Sequence, residues 1–183
     1  MTQSKLLVDT NTYIRLAKTI RPLLFIPFGK DKYCLYILPE LNNELSNRRL
    51  SSKFHWLSDD EYEENRKTFL NVGKKQRNEI DESLKFIWDY VISDIPTVSR
   101  VDAIYVAYAY ELGIPVITDD QDMTELANAF DVDVMSTLAL LKIMLDNKHT
   151  DLKTIKGLVD YWKFEGDCPA NLHRDLKRFF PDL

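Results

Sequence analysis

The chain has too little cysteine, histidine and glycine for several broad classes of protein. Its two cysteines, Cys34 and Cys168, make no disulfide framework and have no metal-ligand spacing. A small stapled secreted domain is therefore excluded, and a reducing, cytoplasmic setting is expected. Three scattered histidines, His55, His149 and His173, argue against a zinc site. Five glycines and seven prolines in 183 residues are too few for a fibrous or disordered chain, and no internal repeat is visible. No apolar run is long enough to span a bilayer, so no membrane partner is expected. The first residues, MTQSKLLVDT, lack a signal-peptide profile. What remains is 45% hydrophobic and 29% charged, the make-up of one globular domain with a substantial core.

Positive charge is scarce only in part of the chain. The net charge is -5, which argues against a protein that grips nucleic acid by bulk charge alone. Residues 1–80 nevertheless carry 14 Lys and Arg against 10 Asp and Glu, whereas residues 81–183 carry 10 against 19. Arg48 and Arg49, and the cluster Lys74, Lys75 and Arg77, are the candidates for phosphate contacts; the same residues also suit an ordinary solvated helical face.

The acids are placed with more pattern than the bases. Lys5 to Val8 is a short apolar run ending in Asp9, and reads as a buried parallel strand. Asp9-Thr10-Asn11-Thr12 then opens a helix, so Asp9 suits both a functional carboxylate and a plain N-cap. Tyr33 to Leu38 reads as a second strand, stopped by Pro39. In the helix that follows, Glu40 and Glu44 share one face, and Glu44 can point back to the strand ends or pair with Arg48 at i+4. From Ser58 to Ile92 the chain reads as long charged helices with a break near Gly73. The apolar stripe Ile80, Leu84, Ile87, Trp88 and Val91 is core.

The stretch Ser99 to Met123, SRVDAIYVAYAYELGIPVITDDQDM, gathers the strongest signals. Ser99 caps a helix with Asp102 in its first turn, and Gly113 ends it. Val116-Ile117-Thr118 is a short buried strand that runs into Asp119, Asp120 and Asp122. Beyond it are a helix from Thr124, a strand at 132–135 and a helix capped by Ser136-Thr137. A helical extension over about 150–183 carries Leu158, Trp162, Phe164, Leu176, Phe179 and Phe180 as packing residues. The whole is read as a single domain, 1–183, with its core at about 5–145.

If the strands are parallel and the crossovers right-handed, Asp9, Glu44, Asp102, Asp120 and Asp122 converge at one sheet edge. Like charges crowded together need a positive partner, and Mg²⁺ or Mn²⁺ is the simplest. A metal held by carboxylates activates water for phosphodiester hydrolysis without a protein nucleophile.

These residues resemble the PIN-domain nucleases. The similarity lies in LLVDTNTYI at Asp9, PELNNEL at Glu44, SRVDAIYVAYAYELGIPVIT with Asp102, and TDDQDM with Asp120 and Asp122. Asp119 stands where the family usually has Asn, and Met123 replaces the motif's aromatic. The extra acid leaves open which of Asp119 and Asp120 faces the metal; the TxDxD pattern favours Asp120. The resemblance implies a three-layer α/β/α sandwich around a short parallel sheet, with extra helices in the middle and at the C-terminus. It implies catalytic Asp9, Glu44, Asp102 and Asp120, with Asp122 as a further metal ligand and Asn11 as a substrate contact. It implies Mg²⁺- or Mn²⁺-dependent cleavage of RNA, as by toxins of toxin–antitoxin pairs, with an antitoxin protein and a homodimer as partners. The alternatives are a non-cleaving PIN scaffold that binds RNA or a protein, and a structure-specific DNA nuclease. A haloacid-dehalogenase-like phosphotransferase needs Asp-x-Asp after the first strand, where Asp9-Thr10-Asn11 stands.

Overall fold

A computed structural model of the chain describes residues 3–183. Four short parallel strands form its sheet: β1 (Ser4–Val8), β2 (Tyr33–Tyr36), β3 (Val116–Ile117) and β4 (Val134–Met135), in the order β2-β1-β3-β4. The central strand β1 sends alternate side chains to opposite faces, as a period of two requires. Leu6 and Val8 enter one hydrophobic core and Leu7 the other. All three are buried, which is why the strand reads as a continuous apolar run.

Helices cover both faces, giving a three-layer α/β/α architecture. On one face α1 (Thr10–Ala17), α8 (Thr137–Asp146) and α9 (Leu152–Glu165) pack through Tyr13, Leu16, Leu141 and Trp162. On the other, α5 (Lys74–Asp94), α6 (Arg100–Leu112) and α7 (Gln121–Ala129) pack through Ile80, Ile87, Val106 and Leu126. Three short helices follow β2, α2 (Glu40–Leu45), α3 (Arg48–Lys53) and α4 (Asp60–Asn65), and the last element is α10 (Leu172–Phe179). Among the described residues no helix is long and apolar enough to cross a membrane.

Local chemistry sets most boundaries. Ser99 and Asp102 form a reciprocal capping box at the start of α6, and Gly113 closes it with φ 59°, a left-handed geometry that an L side chain resists. Two expectations are corrected. Residues 66–73 are not helical, so the charged middle is one short helix, a loop and the long α5. Phe164 is 86% exposed, although Leu158, Trp162 and Phe180 of the same extension are buried. On α9, Leu158 and Trp162 are four residues apart and face the core; Phe164 falls on the opposite side.

The chain leaves β1 for β2 on one side and returns to β3 on the other. The gap between β1 and β3 is therefore a topological switch point, where ligands of open α/β sheets bind beyond the strands' carboxyl ends.

Candidate active site

The acids that follow the strands meet at this switch point. Asp9 leaves β1 with its backbone N–H still bonded to the Ile117 carbonyl (3.1 Å), so the sheet ladder fixes its position. Its carboxylate accepts from the Thr12 N–H (2.6 Å), capping α1, and from the Thr118 hydroxyl (2.6 Å) just after β3. Glu44, one turn into α2, accepts from the Thr10 hydroxyl rather than from Arg48. Asp102 accepts from the Ser99 hydroxyl (2.7 Å) and N–H (3.2 Å). Asp120 caps α7 by accepting from the Met123 N–H (2.8 Å). The helix-start roles of Asp9, Asp102 and Asp120 are thus real, and they aim those carboxylates, whereas the pairing of Glu44 with Arg48 is not made.

Asp9, Asn11, Glu44, Asp102 and Asp120 line one open pocket of about 230 Å³, together with Thr10, Ser99 and Tyr105. Asp122 does not line it, though its charge reaches Asp102. Arg48, Arg49, Lys74, Lys75 and Arg77 do not line it either. All five are exposed; Leu50, on the same helix as Arg48 and Arg49, is a lining residue, and Lys75 pairs on the surface with Glu79 (3.6 Å).

Asp119 has a different task. It is buried, accepts from the Thr137 N–H (3.0 Å) and hydroxyl, and pairs with Arg15 at 3.1 Å. The side chains of successive residues in an extended segment point opposite ways. Asp119 accordingly turns into the domain and Asp120 toward the pocket. A larger groove of about 720 Å³ runs along β4 beside α10; it contains Asp119, Arg174 and Asp175 and none of the other pocket acids.

Burial governs the electrostatics. It lifts the Asp9 carboxyl to about 6, against the opposing hydrogen bonds from Thr118 and Thr12. Burial also raises Glu44, opposed by Thr10 and assisted by the charge of Asp102. Asp102 is raised chiefly by burial, opposed by Ser99 and assisted by Asp120. A carboxyl whose folded pKa exceeds its unfolded value favours folding at low pH, and the advantage is lost as pH rises through the folded value. For Asp9 the window runs from about 4 to 6, and at pH 7 the penalty is ~3 kcal/mol. Thermal melts without metal at pH 5 and pH 7 check this. The parent should gain stability on acidification, and Asp9→Asn should gain less; equal gains would mean that Asp9 carries no such penalty.

The donor set consists of hard oxygens, suited to Mg²⁺ or Mn²⁺. Among the described residues, however, no group of three or more His, Cys, Asp or Glu is placed to hold a metal ion. The reason is visible in the hydrogen bonds: each carboxylate is tied to its own helix start or to a threonine, so the acids ring the pocket without closing on one point. Such a ring fits an ion that keeps most of its water and takes one or two carboxylates directly. No family model matches the chain, and no curated protein matches it.

Sequence reasoning passed over two groups here. Tyr105 lines the pocket three residues after Asp102, a spacing that puts both on one helical face and was legible. The Arg15–Asp119 pair links positions 104 residues apart and left no local signal.

Proposed function

We propose that the chain is a Mg²⁺- or Mn²⁺-dependent endoribonuclease that hydrolyses RNA phosphodiester bonds in the acidic pocket. One observation carries the reading. Carboxylates from four separated places in the chain, Asp9, Glu44, Asp102 and Asp120, share one open pocket at the switch point, where burial raises three of them. A fold that tolerates this cost has a use for negative charge at that point.

Asp9 is the best-fixed ligand, held by the sheet ladder, by Thr12 and by Thr118. Asp102 and Asp120 line the same pocket, each with one oxygen free of a hydrogen bond among the described residues. A bound divalent ion supplies a water of lowered pKa and neutralises charge on the phosphate. Glu44, raised by burial, is the group suited to take and return a proton. Asn11 stands exposed at the rim, where a nucleotide can reach it. Of the five candidate phosphate contacts, Arg48 and Arg49 lie nearest in sequence to a lining residue, Leu50, and suit phosphate positioning.

The test is cleavage of labelled single-stranded RNA, structured RNA and DNA with Mn²⁺, with and without EDTA. RNA cut in Mn²⁺ and spared in EDTA supports the reading, and cleavage of DNA alone moves it to the DNA nucleases. A second reading, a non-cleaving scaffold, draws on the finding that among the described residues no three acids are placed to hold a metal ion, and it wins if nothing is cut. A toxin role with an antitoxin partner belongs to the same reading. Induced expression should then arrest growth with the parent and not with Asp102→Asn.

A further inference from the structure

The pocket is rich in acceptors, and most of its donors are already committed. The Thr10 hydroxyl gives its proton to Glu44, that of Ser99 to Asp102, and that of Thr118, beside the pocket, to Asp9. Tyr105 is different. It is 1% exposed and lines the pocket, and its phenol oxygen has no hydrogen-bond partner among the described residues. The charges of Asp9, Glu44 and Glu40 all act on it. The backbone amide of Leu38 lies near the phenol oxygen but outside hydrogen-bonding geometry, and an amide N–H would occupy only its acceptor side.

A buried hydroxyl without a partner is uncommon in a folded protein and calls for one. Its neighbours on α6 show that the position does not demand a polar group. Ala103, Val106, Ala107 and Ala109 are all buried and apolar, and phenylalanine would fill the same space. Carboxylates and phosphates both lack protons to donate, so a metal ion can bridge them only by charge. An oxyanion brought into this pocket also needs a hydrogen bond from the protein. Asn11 offers one at the exposed rim, and Tyr105 offers one from the buried wall.

We propose that Tyr105 is a substrate-binding residue whose hydroxyl donates to a non-bridging phosphate oxygen of the nucleic-acid backbone. This rests on the nuclease reading above and deepens it: the pocket takes a metal ion and an oxyanion together. The phenol stays protonated throughout, and no bond is made or broken at it.

The probe is AMP, a phosphate monoester, with adenosine as its phosphate-free control. Melting of the full chain is followed without metal, with Mn²⁺, and with Mn²⁺ plus either probe. For the parent, Mn²⁺ should raise Tm, AMP should raise it further, and adenosine should not. Tyr105→Phe should match or exceed the parent without metal and keep the Mn²⁺ increment. It should bind AMP about tenfold more weakly, the worth of one hydrogen bond to a charged group. In RNA cleavage the same variant should raise KM more than it lowers kcat.

Three results would overturn the assignment and leave the nuclease reading standing. A lower metal-free Tm in Tyr105→Phe would mean that the hydroxyl has a structural partner. Equal AMP binding by both proteins would remove the phenol from the substrate. An Mn²⁺ increment without any AMP increment in the parent would leave the metal site standing and end the oxyanion claim alone. If Mn²⁺ itself does nothing, the nuclease reading fails and this inference with it.

Discussion

Asp9→Asn is expected to leave a folded protein that cuts RNA about a thousandfold more slowly than the parent, a loss of several kcal/mol of metal-borne stabilisation. The variant keeps the structural work of the residue. The amide oxygen can still accept from the Thr12 N–H and cap α1, and the amide nitrogen can meet the Thr118 hydroxyl. What goes is a buried negative charge whose carboxyl is pushed to about 6. Stability in metal-free buffer at pH 7 should therefore hold or rise while cleavage is lost. Asp102→Asn should behave alike, because Ser99 still finds an oxygen to bond. Circular dichroism melts beside a gel-based cleavage assay decide the matter. Parent-like cleavage by either variant would make the acidic ring structural and leave the binding scaffold as the better description.

The second large effect falls on stability and comes from the residue next door. Asp119→Ala should lower stability by ~3–5 kcal/mol, the usual cost of stripping one partner from a buried ion pair. For a domain of this size that is a fall of roughly 10 °C in Tm. Arg15 would remain with its side chain 11% exposed, and Thr137 would lose the acceptor for both its N–H and its hydroxyl. Asp120→Ala should cost only the cap of α7, ~1 kcal/mol, while removing cleavage. Two adjacent aspartates thus have opposite expected phenotypes, one in thermal melts and one in activity. Similar melts for the two variants would reject this division.

This division shows where the sequence stops being legible. The strands after Lys5, Tyr33 and Val116 could be read because buried parallel strands are short apolar runs. The starts of α1, α6 and α8 could be read because Asp9, Ser99 and Ser136 carry cap chemistry in the side chain itself. The placement of acids at strand ends followed from the same runs. The choice between Asp119 and Asp120 could be framed but not made from the residues alone, since it depends on Arg15 and Thr137, both distant in the chain. The loop at 66–73 was hidden for a related reason. Arg66 is drawn inside, bonding the Tyr13 hydroxyl (3.1 Å) and the Leu57 carbonyl (2.7 Å), and no local pattern marks an arginine that will be buried. Phe164 misled because an apolar residue in a helix is ordinarily evidence of packing.

Arg15 also bears on how the chain comes off the ribosome. Its guanidinium reaches the carbonyls of Asp167 and Cys168 (both 3.4 Å), and its own carbonyl accepts from the Trp162 indole (3.1 Å). Arg15 is synthesised well before these partners. At ~5–20 residues per second, the face of α1 that Trp162 covers stays bare while the 147 residues that separate Arg15 from Trp162 are added. The nascent chain must carry Tyr13 and Leu16 without their final cover until α9 has been made. The core that α1 and α9 share is consequently completed only once α9 has been made, as one cooperative piece.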